Sequence, residues 1–318
     1  MSTTVGIAIP AYGRGRHLRQ TLESALAQTR AAKEIVVVDD CSPDETGEVA
    51  RSLQNRGVRY VRNPVNLGVP ENYNASLMQL STDYVMILED HDLLEPTFIE
   101  ECAGLMDQHS DVKLVATWIA GIHEESGKVL QVFSPDFAHV QDGRRLAEYL
   151  VTNTTAPFCL TALIRRAALI ELEPWFDRKY WWYADIDLWI RLALRGSFGC
   201  VRRPLLRMRR REQNHFLNDK HWEGLICCDR IRRDSWAKVF PENTLGMRWK
   251  WTRYCAARDY EGFKLLLSQL ARRHRDVPED ARAMFTPLGQ SMARVLSRAP
   301  IPVARTVRAL HHLLVPRT

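Results

Sequence analysis

Four consecutive side chains carry the densest chemistry in the sequence: Glu89, Asp90, His91 and Asp92. They follow the apolar, β-prone run Tyr84-Val85-Met86-Ile87-Leu88, and Pro96 stands just beyond them. Three carboxylates crowded beside an imidazole at the carboxyl end of one buried strand repel one another unless positive charge sits among them. Asp39 and Asp40 close a second apolar run that starts at Glu34, and "AYGR", Ala11 to Arg14, closes a third. Further along, Asp185 and Asp187 follow the aromatic triplet Trp181-Trp182-Tyr183, and the basic stretch Arg207 to Arg211 leads to His215.

The segments around these clusters alternate in period. Val5–Ile9, Glu34–Asp39, Val58–Arg62 and Tyr84–Leu88 read as strands. Leu18, Leu22, Ala25 and Leu26 mark a helix after the first strand, and Pro70–Leu80 another before the fourth. "SPDE" at Ser42–Glu45 has the form of a capping box with Ser42 as N-cap. Such alternation predicts an α/β fold with a doubly wound, mostly parallel sheet. Ligands bind there beyond the carboxyl ends of the strands, where "AYGR", "DDCS" and "EDHD" all fall. Val112–Trp118 reads as a further strand, "EESGK" as a hairpin turn, and Gly143–Val151 as a helix. "YADIDLWIRLALRG" reads as an amphipathic helix with Gly196 as its C-cap glycine. Beyond residue 215 the pattern is helical.

The motifs "VGIAIPAYGRGRHLRQTLESALAQT", "EIVVVDDCSPDET", "RNPVNLGVPENYNASL", "YVMILEDHDLLEP" and "WWYADIDLWIRLALRG" resemble, in order and spacing, those of family 2 glycosyltransferases with the GT-A fold. The resemblance covers roughly residues 4–215. It implies a catalytic domain over 1–215, with nucleotide-sugar binding in about 1–118 and acceptor binding in about 119–215, followed by a helical, basic region over 216–318. The implied reaction moves a sugar from a nucleoside diphosphate donor, by default a UDP-sugar, to an acceptor hydroxyl with inversion. Tyr12 then offers an aromatic face to the base and Asp40 an acceptor for its imide N–H. Pro10, Arg14, Asp39, Asn66, Asn72, Glu89 and Asp90 fall at other nucleotide-binding positions.

By the same resemblance a divalent metal neutralises the departing diphosphate. Counting back from Pro96 places His91 on the metal-ligand position, which departs from the family's usual aspartate. A histidine ligand favours manganese over magnesium. The expected ligands are His91 with Asp92 and Asp90, and a slip of one residue would make Asp90 and Asp92 the pair. Asp185 falls on the catalytic-base position, although Ala184 stands where the family has glutamate. Trp181 and Trp182 are candidates for stacking on acceptor sugar. Arg209 or Arg211 could pair with the diphosphate, and His215 could complete the metal site.

Composition agrees with an enzyme of this kind. The 318 residues are 46% hydrophobic and 26% charged, and seven cysteines without metal-type spacing read as free thiols of a reducing compartment. The sequence lacks a signal-peptide pattern and a run of the roughly 20 apolar residues that span a bilayer, so a cytoplasmic location is expected. Residues 1–200 carry 19 Lys and Arg against 27 Asp and Glu, whereas residues 201–318 carry 25 against 11. The basic end suggests a helix over 298–318 that attaches to an anionic inner membrane surface, suiting a glycan or lipid-linked acceptor. No nucleic-acid recognition motif accompanies it. Two rival readings remain: a nucleotidyltransferase, which "IPAYGRGRHL" does not favour because it lacks a lysine, and a non-catalytic nucleotide- or sugar-binding module.

Overall fold

The computed structural model describes residues 2–153, 160–210, 220–242, 244, 246–256, 258–259, 286 and 290. The chain divides into two compact units, one of residues 1–149 and 156–212, the other of 150–155 and 213–318. The first contains β1 (Val5–Ala11), α1 (Gly15–Leu26), β2 (Glu34–Asp39), α2 (Thr46–Arg51), β3 (Val58–Arg62), α3 (Val69–Leu77) and β4 (Tyr84–Ile87). These are followed by β5 (Leu93–Leu94), α4 (Phe98–Gln108), β6 (Val112–His123), β7 (Val129–Phe133), β8 (Val140–Asp142) and α5 (Gly143–Thr152), whose last residues, 150–152, fall in the second unit. Next come β9 (Leu163–Arg165), α6 (Arg166–Leu169), α7 (Ala184–Ala193) and β10 (Ser197–Arg210). The second unit contains α8 (Lys220–Val239) and a helix over 246–256.

One mixed sheet organises the first unit, in the order β3-β2-β1-β4-β9-β6-β10-β5, with β7 and β8 added at β6 and β10. The half that carries "AYGR", "DDCS" and "EDHD" is parallel: β1 lies between β2 and β4, and β3 flanks β2. Every residue of β1 and β4 is buried. That explains their continuous apolar sequences, since helices cover both faces of a parallel sheet. Leu18, Leu22 and Ala25 of α1 are buried at helical spacing. The second half mixes directions. β6 and β10 run parallel over most of their length, and the register shifts at Pro204, which has no N–H for the ladder. β5 pairs antiparallel with β10, Leu94 opposite Leu206 and Leu93 opposite Arg207, so β10 runs beside the turn that holds Glu89–Asp92.

Two local expectations are corrected. Ser42 does not cap a helix; α2 starts at Thr46, and the Asp44 carboxylate accepts from the N–H groups of Thr46 at 3.1 Å and Gly15 at 3.0 Å. One aspartate thus ties the starts of α1 and α2, while Ser42 Oγ accepts from the Gly13 N–H. Gly196 is not a C-cap glycine, because α7 ends at Ala193 with Leu194 in right-handed geometry. Its role is close approach: a Cβ there would lie 2.5 Å from the Asp111 carbonyl oxygen.

Candidate active site

The strand ends converge as the alternating pattern predicts, and the turn after β4 is the centre. One ligand atom each from Glu89, Asp90 and His91 lies within 4.8 Å of the others. The positive charge that this turn requires is supplied by two arginines. Arg14 Nη1 lies 3.3 Å from Asp90 Oδ1 and 2.5 Å from His91 Nδ1. Arg209 donates its backbone N–H to Asp92 Oδ1 at 3.1 Å, and its guanidinium donates to the His91 carbonyl and to Gln20 Oε1. Arg209 therefore braces the turn. Asp90 Oδ2 also accepts the Tyr12 N–H at 3.1 Å, which fixes the loop after β1 to the same carboxylate.

Carboxylate and imidazole donors this close together fit a divalent cation. Glu89, Asp90 and His91 would hold it. Asp92 is 1% exposed and turned to the Arg209 backbone, though its Oδ1 is still 3.8 Å from His91 Nε2. Burial pushes the Asp92 carboxyl up to about 7, with Glu89 and Asp90 adding to the rise against His91 and the Arg209 N–H. His91 moves upward too: burial alone would lower it, but the hydrogen bond to Asp90 and the charges of Asp92 and Glu89 outweigh that.

The loops after β2 and β3 form the neighbouring wall. Asp40 is buried and accepts from Asn63 Nδ2 and the Leu67 N–H through one oxygen and from the Gly68 N–H through the other. A carboxylate has about four lone-pair sites, so one stays available to an incoming donor. Asp39 accepts from the Ser42 N–H, Tyr60 Oη and Arg62; these bonds lower its carboxyl despite burial, which acts the other way. Asn72 is buried between Asn63 and the Val38 carbonyl, Asn66 accepts from the Gly68 N–H, and Pro10 is buried in β1 opposite Val38. Tyr12 is 51% exposed, leaving its ring open to a base.

Asp185 stands in the first turn of α7, half-buried, accepting from the Ile186 N–H at 2.9 Å. Burial pushes its carboxyl up to about 7, and the charge of Glu89 adds to the rise. Tyr73 links the two groups. Its hydroxyl donates to Glu89 Oε1 at 2.5 Å, and the charges of Glu89, Asp185 and Asp90 all act on it. Spacing in the sequence did not single out Tyr73; only its place within "NYNASL" hinted at it. Its ring meets Phe176 edge-on with centroids 5.2 Å apart, and Asn74 clamps Phe176 through both backbone groups. Arg191, paired with Asp187 at 2.7 Å, donates to the carbonyls of Leu172 and Trp175. Asp187 is thus a tie between α7 and the 172–176 loop. Trp181 is exposed and has a positive φ of 45°. Arg211 and His215 lie outside the described residues, as does the Trp182 side chain.

Residues 6–172 match the family model described as Glycosyl transferase family 2, which is more than half of the chain. The chain belongs to this family. Asp185 lies beyond the matched span. A relative from Methanocaldococcus jannaschii, an uncharacterized glycosyltransferase, is 23% identical over 74% of this chain and 75% of its own length. Chondroitin synthase of Pasteurella multocida is 25% identical over 61% of this chain, which spans 19% of that enzyme. Among solved structures, S. aureus TarS 1–349 in complex with UDP-GlcNAc has the same fold at 18% identity, with a TM-score of 0.65 over 98% of this chain and 92% of that one. The fold is therefore GT-A, and the family 2 assignment makes the chain a glycosyltransferase of hexosyl-transfer type.

Two consequences of the geometry are measurable. Removing the Tyr73 hydroxyl in Tyr73→Phe takes a donor from a half-buried carboxylate, so unfolding by urea should show a loss of about 1–2 kcal/mol. The second concerns pH. Asp92 rises to about 7 from an ordinary 3.8, so folding favours its protonated form. Its contribution to stability is full below about pH 4 and is lost as pH rises through about 7. In chelator, Asp92→Asn should therefore gain melting temperature relative to the unsubstituted protein between about pH 5 and about pH 8. A constant difference across that range would mean that Asp92 does not titrate there.

Proposed function

We propose that the chain transfers a hexose from a UDP-sugar to an acceptor hydroxyl with inversion, assisted by a divalent cation at Glu89–His91, manganese in preference to magnesium. The observation that carries this reading is Asp185, a carboxyl raised to about 7 and within the electrostatic reach of Glu89, one end of the cation-type cluster. A group with that affinity can take a proton near neutral pH. Asp185 accepts the proton of the acceptor hydroxyl as its oxygen attacks the anomeric carbon, while the bond to the diphosphate breaks on the opposite face. One displacement of this kind inverts the centre. A divalent cation bound at Glu89, Asp90 and His91 supplies charge stabilisation to the leaving diphosphate. The half-exposed Arg14 guanidinium adds positive charge at the same place. Tyr12 stacks on the uracil ring and the remaining lone pair of Asp40 receives its imide N–H.

In this reading residues 1–118 hold the donor and 119–215 the acceptor, a glycan or a lipid-linked glycan at the inner face of the cell membrane. The TarS complex with UDP-GlcNAc and the synthases of Pasteurella multocida support the donor and acceptor classes. A donor panel with manganese present tests it. UDP-sugars should raise the melting temperature, and slow release of UDP should follow without acceptor. Stabilisation by guanosine diphosphate alone would overturn the uridine assignment. Tight binding with no UDP release, with or without acceptor, would make the chain a binding module.

A further inference from the structure

The segment Gly246-Met-Arg-Trp-Lys-Trp-Thr-Arg-Tyr-Cys-Ala256 contains three basic residues and no acidic one. It forms the helix over 246–256 in the second unit. Tyr254 and Cys255 are buried and Met247 and Trp251 half-buried, so positions 247, 251, 254 and 255 make one inward stripe. Trp251 fixes that stripe, with its ring centroid 4.7 Å from that of Trp236 of α8 and 5.3 Å from that of Tyr254. The opposite face, Arg248, Trp249, Lys250, Thr252, Arg253 and Ala256, is exposed throughout. Its centre is Trp249, 61% exposed, with the Arg253 guanidinium 4.8 Å from its ring centroid.

We propose that this face is a docking surface for an anionic lipid bilayer, with Trp249 at the headgroup level and Arg248, Lys250 and Arg253 on the phosphates. Three physical points carry the inference. An indole has an apolar body and one polar N–H, so water is a poor environment for a Trp exposed as far as Trp249 and the bilayer interface a good one. Basic side chains around it attract an anionic surface, each by an amount that changes affinity about fivefold. A helix with one face packed and the other cationic and aromatic lies in the plane of the interface without crossing it. Among the described residues no helix is long and apolar enough to cross a membrane. The charge division of the chain points the same way. Residues 201–318 hold 25 basic against 11 acidic side chains, while residues 1–200 hold 19 against 27, so an anionic surface attracts the second part and repels the first. A nucleic acid is the less suitable occupant, because the segment carries no nucleic-acid recognition motif and the Arg253 guanidinium already lies over the Trp249 ring on which a base would stack. The inference stands independently of the transfer reading above.

Flotation of the full chain with vesicles of phosphatidylcholine and phosphatidylglycerol at low salt tests it. The unsubstituted protein should float with these vesicles and not with pure phosphatidylcholine. The variant R248E/K250E/R253E should bind at least about 100-fold more weakly. Brominated lipid should quench tryptophan emission of the unsubstituted protein more than that of Trp249→Phe. All these side chains are exposed, so circular dichroism and hydrolysis of soluble donor should be the same in every variant. Full flotation of the triple variant would overturn the proposal. So would loss of flotation only on deletion of 298–318, or binding to duplex DNA as tight as to the anionic vesicles with no lipid quenching of Trp249.

Discussion

Replacing Asp185 by Asn is expected to lower turnover about 100-fold or more and to leave donor affinity unchanged. The substitution keeps the shape of the side chain and its acceptance of the Ile186 N–H, which Asp185 receives at 2.9 Å. It removes only the ability to take a proton. The carboxyl rises to about 7 because burial withdraws water from its charged form and because Glu89 adds negative charge nearby. A general base works when deprotonated, so kcat/KM should climb with pH through an acid limb close to 7. A cation at Glu89–His91 opposes the charge of Glu89 and moves that limb lower. Asp185→Asn should lose the limb altogether, and donor titration by calorimetry should match that of the unsubstituted protein. Full turnover in this variant would remove Asp185 from the mechanism.

The parts of the site that follow strand ends were legible in the sequence, for a physical reason. A buried parallel strand must be continuously apolar, so the point where it turns polar marks its carboxyl end, and β1, β2 and β4 each end in a polar cluster. Asp39, Asp40 and the Glu89–Asp92 turn could be placed on that rule without any contact information. The groups that hold the site together could not. Tyr73 reaches Glu89 from a helix, Arg209 reaches the His91 carbonyl from β10, and Asp44 reaches the Gly15 N–H at the start of α1. Each of these contacts joins residues brought together by the tertiary fold, and local patterns carry no record of it.

Arg209 shows the difference most clearly. A basic run suggested phosphate pairing, whereas the antiparallel pairing of β5 with β10 brings this residue to the back of the acidic turn. Its guanidinium is engaged by the His91 carbonyl and Gln20. Arg14, from the loop after β1, is the cation that faces the Asp90 and His91 side chains. Asp187, two residues after Asp185, carries a structural load: its pairing with Arg191 secures the Leu172 and Trp175 carbonyls beside Phe176 and Tyr73.

The metal ligands should separate by substitution. His91→Ala removes the nitrogen donor from the Glu89–Asp90–His91 cluster, and manganese affinity, read by electron paramagnetic resonance without nucleotide, should fall about 100-fold. Asp90→Ala should cost at least as much, because Asp90 also anchors the Tyr12 N–H and faces Arg14, so nucleotide affinity falls with it. Asp92→Ala leaves the three clustered donors in place and removes the partner of the Arg209 N–H. It acts by loosening the turn, and about a 10-fold loss is expected, the size found when a group behind a ligand is removed. The order of the three decides the register: if Asp92→Ala weakens manganese more than His91→Ala does, the ligand pair is Asp90 and Asp92 and the imidazole stands outside the coordination sphere.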